Sequence, residues 1–243
     1  MSRTLVALIE PRPGNLCVLA SLCFLQNDHT KNREQSFFLT LASAIFLLLM
    51  GRFMTMTADE LSILHTQMNS ATRFLEFGAG ASTLYAASVP TIQQIDSVES
   101  SESYINENLK PNPVISEAIS AGKLFFHVID IGRTWLWGYP MGLCKKHQWP
   151  NYSLSIFSKK SEHDLVLIDG RFRVACTLNC ILKTPEDCKI IIHDFWNRSD
   201  YKIVLPFLET KAKADTLGLF EKKEGIDRDK IKAMIEKYQY LPR

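Results

Sequence analysis

Apolar and polar positions change rhythm near residue 56. Before it the chain carries two unbroken apolar runs, LCVLASLCFL at 16–25 and FFLTLASAIFLLLM at 37–50, separated by the polar stretch QNDHTKNREQ. After it the pattern is regular. Thr57 followed by Glu60 has the spacing of a capping box, and Leu61, Leu64 and Met68 recur at helical intervals, which predicts a helix over 58–69. Short apolar runs then alternate with helical patterns: strands at 73–77, 94–99, 124–130, 164–169 and 189–194, and helices at 82–88, 101–109, 173–182 and 199–209. One more strand is expected at 217–223, and Asp227 is placed to cap a last helix reaching 238. Strands that alternate with helices predict an α/β fold, a mostly parallel, doubly wound sheet with helices on both faces.

The change of rhythm divides the chain into an apolar extension, 1–55, and a main domain, 56–243. The run at 37–50 is 14 residues long, short of the roughly 18 to 20 that a lone membrane span needs. Two readings stand for it: an appended segment outside the core, or a membrane-associated anchor. A chain of 243 residues that is 46% hydrophobic can bury one sizeable core. The formal net charge of +2 argues against a dedicated nucleic-acid partner, which demands a concentrated excess of Lys and Arg. Cys17, Cys23, Cys144, Cys176, Cys180 and Cys188 form no CxxC pair, and reduced thiols in a cytoplasmic setting fit that spacing.

The stretch FLEFGAGASTLYAA at 74–87 places Glu76, Gly78 and Gly80 where the first strand of the main domain ends. In an open parallel sheet, ligands bind beyond the carboxyl ends of the strands, and glycines let backbone approach them. Ser82 stands where a dinucleotide fingerprint has its third glycine. Glu99 closes the next strand 21 positions after Gly78, near the spacing at which a carboxylate meets a ribose diol.

LEFGAGAST followed by SVES resembles the first two motifs of class I S-adenosylmethionine-dependent methyltransferases. DIGRTWLWGYP, DLVLIDGRFRVAC and IIIHDFWNRSDYKIVLPFLE resemble, more narrowly, a group of bacterial methyltransferase-like proteins. The resemblance implies a Rossmann-like sheet of order 3-2-1-4-5 plus edge strands, and S-adenosyl-L-methionine as cofactor. It implies that Glu76, Gly78 and Gly80 lie by the methionine part, Glu99 by the ribose and Asp130 by the adenine, with Ser82 also among the cofactor-binding residues. Such proteins end in a hairpin, whereas only one clear strand is legible after residue 209.

Chemistry is then expected at the ends of the fourth and fifth strands. Methyl transfer to oxygen is an in-line displacement, so the protein positions two reactants and removes a proton. Asp169, His193 and Asp194 are the catalytic candidates: either His193 is a base oriented by a carboxylate, or Asp169 and Asp194 share a divalent metal. The second arrangement resembles that of metal-dependent O-methyltransferases, from whose pattern this sequence departs in carrying Phe195 where they have an amide.

Arg171 and Arg173 stand at the start of a predicted helix, where the helix dipole disfavours cations by up to about 1 kcal/mol each. An anionic group on the substrate, or a salt bridge to Asp169 or Asp194, would offset this. The segment 132–160 carries Trp135, Trp137, Tyr139, Trp149 and Tyr152. It reads either as a lid, with Trp137 and Tyr139 contacting substrate, or as a small core beneath the loop. The expected activity is methyl transfer to a hydroxyl of a saccharide or small metabolite. A nicotinamide-dependent oxidoreductase and a non-catalytic nucleotide-binding module are the alternatives.

Overall fold

Helix α1 (Ala58–Met68) starts at the expected capping box: the Thr57 hydroxyl accepts from the Glu60 N–H, and the Glu60 carboxylate accepts from the Thr57 N–H at 2.8 Å. The computed structural model describes residues 56–135, 138–158 and 161–242. The expectations for the extension 1–55, including an anchor at 37–50, and for Trp137 lie outside the described residues.

The chain continues through β1 (Arg73–Phe77), α2 (Ala81–Ser88), β2 (Gln94–Glu99), α3 (Glu102–Tyr104), a single π-helical turn (Ile105–Leu109), α4 (Pro113–Ser120) and β3 (Leu124–Val128). It then runs through α5 (Trp149–Leu154), β4 (Leu165–Ile168), α6 (Arg173–Lys183), β5 (Lys189–Ile192), a 3-10 stretch (Ser199–Phe207), the strands β6 (Leu208–Ala214) and β7 (Leu217–Lys222), and α7 (Arg228–Tyr238). The sheet has seven strands in the order β3-β2-β1-β4-β5-β7-β6, the first five parallel and the last two antiparallel. The order 3-2-1-4-5 is therefore present, and a closing hairpin extends it.

Each inner strand is buried on both faces, because successive side chains point to opposite sides. Leu75, Phe77, Val166, Ile168, Ile190 and Ile192 pack with α5, α6 and α7, whereas Phe74, Leu165, Leu167 and Ile191 pack with α1, α2 and α4. Two apolar layers thus clamp the sheet and fix its register.

Two of the differences from expectation fall together after β5. The helix predicted over 199–209 is a 3-10 stretch ending at Phe207, with Pro206 inside it; proline offers no N–H to an α-helical ladder. Strand β6 follows directly. Its Lys211 and Lys213 sit on the outermost strand, where charge discourages pairing with another chain. Among the described residues no helix is long and apolar enough to cross a membrane.

Candidate active site

The turn after β1 is bare backbone by necessity. Gly78 has φ +97°, and a Cβ there would lie 2.8 Å from the backbone of Gly170, the residue after Asp169. A Cβ on Gly170 would in turn lie 2.2 Å from the Tyr152 hydroxyl and 2.9 Å from the Gly78 nitrogen. The carboxyl ends of β1 and β4 therefore meet main chain to main chain, and only glycine fits on either side. At Gly80 the nearest atom to such a Cβ is the Tyr104 hydroxyl at 4.0 Å.

Glu76, at 0% exposure, lies beneath this turn. Its carboxylate accepts hydrogen bonds from Ser82 and Ser97, each at 2.7 Å, and from Thr83. Burial pushes the Glu76 carboxyl up to about 7 against the opposing pull of those three hydroxyls. Glu76 and Ser82 thus hold the turn from below. Glu99 sits at its rim, with one oxygen 3.2 Å from the Ala79 N–H and the other accepting from the Ser100 and Ser101 N–H groups. The Glu99 side chain is therefore joined directly to the glycine turn.

Tyr104 lies over the same turn; burial, then the charges of Glu99 and Glu76, raises its phenol. Asp130 is exposed beyond the end of β3, where it accepts from the Gly132 N–H at 2.8 Å and pairs with Lys145 at 3.0 Å.

Asp169, His193 and Asp194 fall immediately after β4 and β5 and are brought together. His193 Nδ1 lies 2.9 Å from Asp169 Oδ1, and its Nε2 lies 3.5 Å from Glu60 Oε2. Burial works to lower the imidazole's affinity for a proton, but the hydrogen bond and charge of Asp169, joined by the charge of Asp194, outweigh it and raise the pKa. Within the pair Asp169 is the more open side chain, at 32% exposure against 15% for His193. Asp194 (φ +56°) and Phe172 (φ +54°) adopt the left-handed region, and such strain gathers where surrounding structure enforces it.

Arg173 is buried at the centre of this cluster. Its guanidinium lies 3.0 Å from Asp169 and 3.6 Å from Asp194, and it donates to the carbonyls of Gly170, His193 and Asp169. Of the two offsets open to a cation at this helix start, the salt bridge is the one realised for Arg173. The same arrangement bears on the metal expectation. A permanent cation already bridges the two carboxylates, so they do not fit a divalent ion, and among the described residues no other His, Cys, Asp and Glu cluster does.

The aromatic segment divides. Trp149 and Tyr152 are buried against Phe172, forming the small core, whereas Trp135 is exposed and Tyr139 stands beside Arg171.

Three contributors were not legible beforehand. Gly170 and Tyr104 act through contacts distant in sequence, and Glu60, read only as a cap, also accepts from the Thr216 and Leu217 N–H groups. A cavity of about 460 Å³ lined by Arg73, Asp96, Phe125, His127 and His163 includes none of the strand-end residues.

No family model and no curated protein matches the chain. Among solved structures, it is similar to a methyltransferase-like protein from Silicibacter pomeroyi, with 26% identity and a TM-score of 0.66 over 78% of this chain and 97% of that one. It also shares its fold with the cofactor-bound Rv0187 protein from MTB, at 16% identity and a TM-score of 0.50, covering 89% of this chain and 100% of that one.

Proposed function

We propose that this chain, a class I methyltransferase-like protein in its fold, is an S-adenosylmethionine-dependent methyltransferase that acts on a hydroxyl of a saccharide or small metabolite. The observation that carries the reading is the pairing of the bare turn at Gly78 and Gly80 with the Glu99 carboxylate, 3.2 Å from the Ala79 N–H. The likeness to the Silicibacter protein supports it.

The residues present fit the cofactor. The glycine turn leaves backbone open to close approach, and an acceptor-only carboxylate at the rim suits the two hydroxyls of a ribose. Tyr104 would flank the cofactor from the other side of the turn, and Asp130 would meet the adenine once released from Lys145. S-adenosylmethionine, when bound, supplies a methyl group on a positively charged sulfur.

The chain's own residues then orient the acceptor and handle its proton. Asp169, the open member of the pair, accepts a hydrogen bond from the acceptor hydroxyl, and His193 behind it stores the released proton between Asp169 and Glu60. Arg173 keeps both strand ends in register through the three carbonyls that it holds. Asp194 takes part through Arg173 and Arg198. No step runs through a metal.

Calorimetric titration of the full chain with S-adenosylmethionine, S-adenosylhomocysteine and NAD tests the reading. The first two bind and NAD does not; Glu99→Ala weakens both by about tenfold or more, the usual worth of a charge-assisted hydrogen bond. Binding of NAD alone, or of none of the three, overturns it. Labelled methyl donor incubated with fractionated extracts, followed by mass spectrometry, then identifies the acceptor.

A further inference from the structure

Three arginines stand near the ends of β4 and β5, and two have anionic partners. Arg173 lies between Asp169 and Asp194, and Arg198 pairs with Asp194 at 2.8 Å. Arg171 is half-buried, and among the described residues it forms no ion pair; its Nε is shielded from solvent and has no hydrogen-bond partner. Burial, then the neighbouring charge of Arg173, lowers its pKa, and it lies just before α6, where the dipole also disfavours a cation. Burial and the neighbouring arginines outweigh the support that Tyr201 and Tyr152 give this charge, and an orphaned donor of a charged group adds to the cost.

The position of Arg171 brings it near Glu99. Its guanidinium carbon is 5.8 Å from the centre of the Tyr139 ring. A Cβ on Gly138 would lie 3.7 Å from the Ser100 hydroxyl and 4.0 Å from Arg171 Cγ, so Gly138, Ser100 and Arg171 meet at one point. Ser100 in turn donates to Glu99 through its N–H and its hydroxyl. A cation lacking an anion and a carboxylate proposed to meet a ribose thus lie on either side of Gly138 and Ser100.

We propose that Arg171 is an anion-binding residue for the methyl acceptor, which carries a carboxylate or phosphate group besides the hydroxyl that is methylated. The inference rests on the methyltransferase reading. A planar guanidinium offers paired N–H donors that match either oxyanion, and Tyr139 packed on it limits the directions in which it can turn. Neutral sugars lacking an acidic group are therefore poor acceptors.

The test uses the full chain saturated with S-adenosylhomocysteine and titrated with inorganic phosphate and, separately, with acetate, at matched ionic strength, by calorimetry and NMR. One of the two anions binds, and the preferred one tells phosphate from carboxylate. Arg171→Met weakens that binding by about tenfold or more and leaves affinity for S-adenosylhomocysteine unchanged, while Arg171→Lys keeps part of it. Absence of binding by either anion overturns the proposal. So does equal binding by Arg171→Met, or a matching loss of S-adenosylhomocysteine affinity, which would assign Arg171 to the cofactor. Failure of the wild-type chain to bind S-adenosylhomocysteine removes the methyltransferase reading and this inference together; binding of it without any anion removes this inference alone.

Discussion

Gly78 and Gly170 touch backbone to backbone: a Cβ on Gly78 would lie 2.8 Å from the Gly170 Cα, and one on Gly170 would lie 2.9 Å from the Gly78 nitrogen. Neither obstacle is the end of a flexible side chain, so neither can swing aside. Gly78→Ala also forces a side chain onto a backbone at φ +97°. It is expected to destabilise the fold by about 2 kcal/mol or more, read from urea midpoints, and to weaken S-adenosylhomocysteine binding at the same time. Gly80→Ala, with open space and an extended backbone, leaves the midpoint nearly unchanged.

Glu76 makes stability depend on pH. Its folded pKa of about 7 stands above the ordinary 4.5, so its contribution is fully present below about pH 4.5 and is lost as pH rises through 7. The loss is on the order of 3 kcal/mol. Urea unfolding of wild type and Glu76→Gln at pH 5 and pH 8 isolates it: the variant gains relative to wild type at pH 8.

His193 also has a raised pKa, because the Asp169 and Asp194 carboxylates outweigh its burial. The sign is the same as for Glu76. Stability from the charged imidazole is complete below its ordinary 6.5 and fades as pH climbs past the raised folded value. The midpoint of the acid limb of kcat/KM, where His193 loses its proton and becomes able to accept one, accordingly lies above the ordinary imidazole value of 6.5. His193→Asn lowers kcat by about a hundredfold or more without changing S-adenosylhomocysteine affinity; a collapse of that affinity would instead assign the side chain to the cofactor site.

Arg173 is 4% exposed and bridges Asp169 and Asp194. Arg173→Met leaves two carboxylates facing each other and frees three carbonyls, with an expected cost of about 3 kcal/mol or more, measured by thermal and urea unfolding. In wild type a chelator leaves turnover unchanged, since a guanidinium stands where a metal would. In the variant, added magnesium or calcium restores part of the lost stability.

The inner strands were legible because each one is a short apolar run ended by a polar or small residue: Glu99 closing β2, Asp169 after β4, His193 after β5. Those same ends supplied the candidate residues, and of the two arrangements expected there the contact present is that of His193 with a carboxylate, Asp169. Helix α4 was not, although Asn112 and Pro113 supply a cap and a first-turn proline; eight residues give too little periodicity to stand out. Strand β6, LETKAKA, is the outermost strand and reads as a polar stretch. Contacts decided the remainder. No local pattern signals that Gly170 must remain glycine, that Glu60 reaches His193, or that Arg173 meets two carboxylates while Arg171, two positions away, among the described residues meets none.

Glu60 ends one helical cap and begins another relationship, because the carboxylate that closes the first turn of α1 also receives the β6–β7 turn and stands by the imidazole. A rotation or slip of α1 would therefore be felt as altered acid–base behaviour and a loosened last hairpin, with nucleoside recognition at the other strand ends left intact. Proton handling and cofactor grip can thus drift separately under sequence change, so related chains could keep one and lose the other.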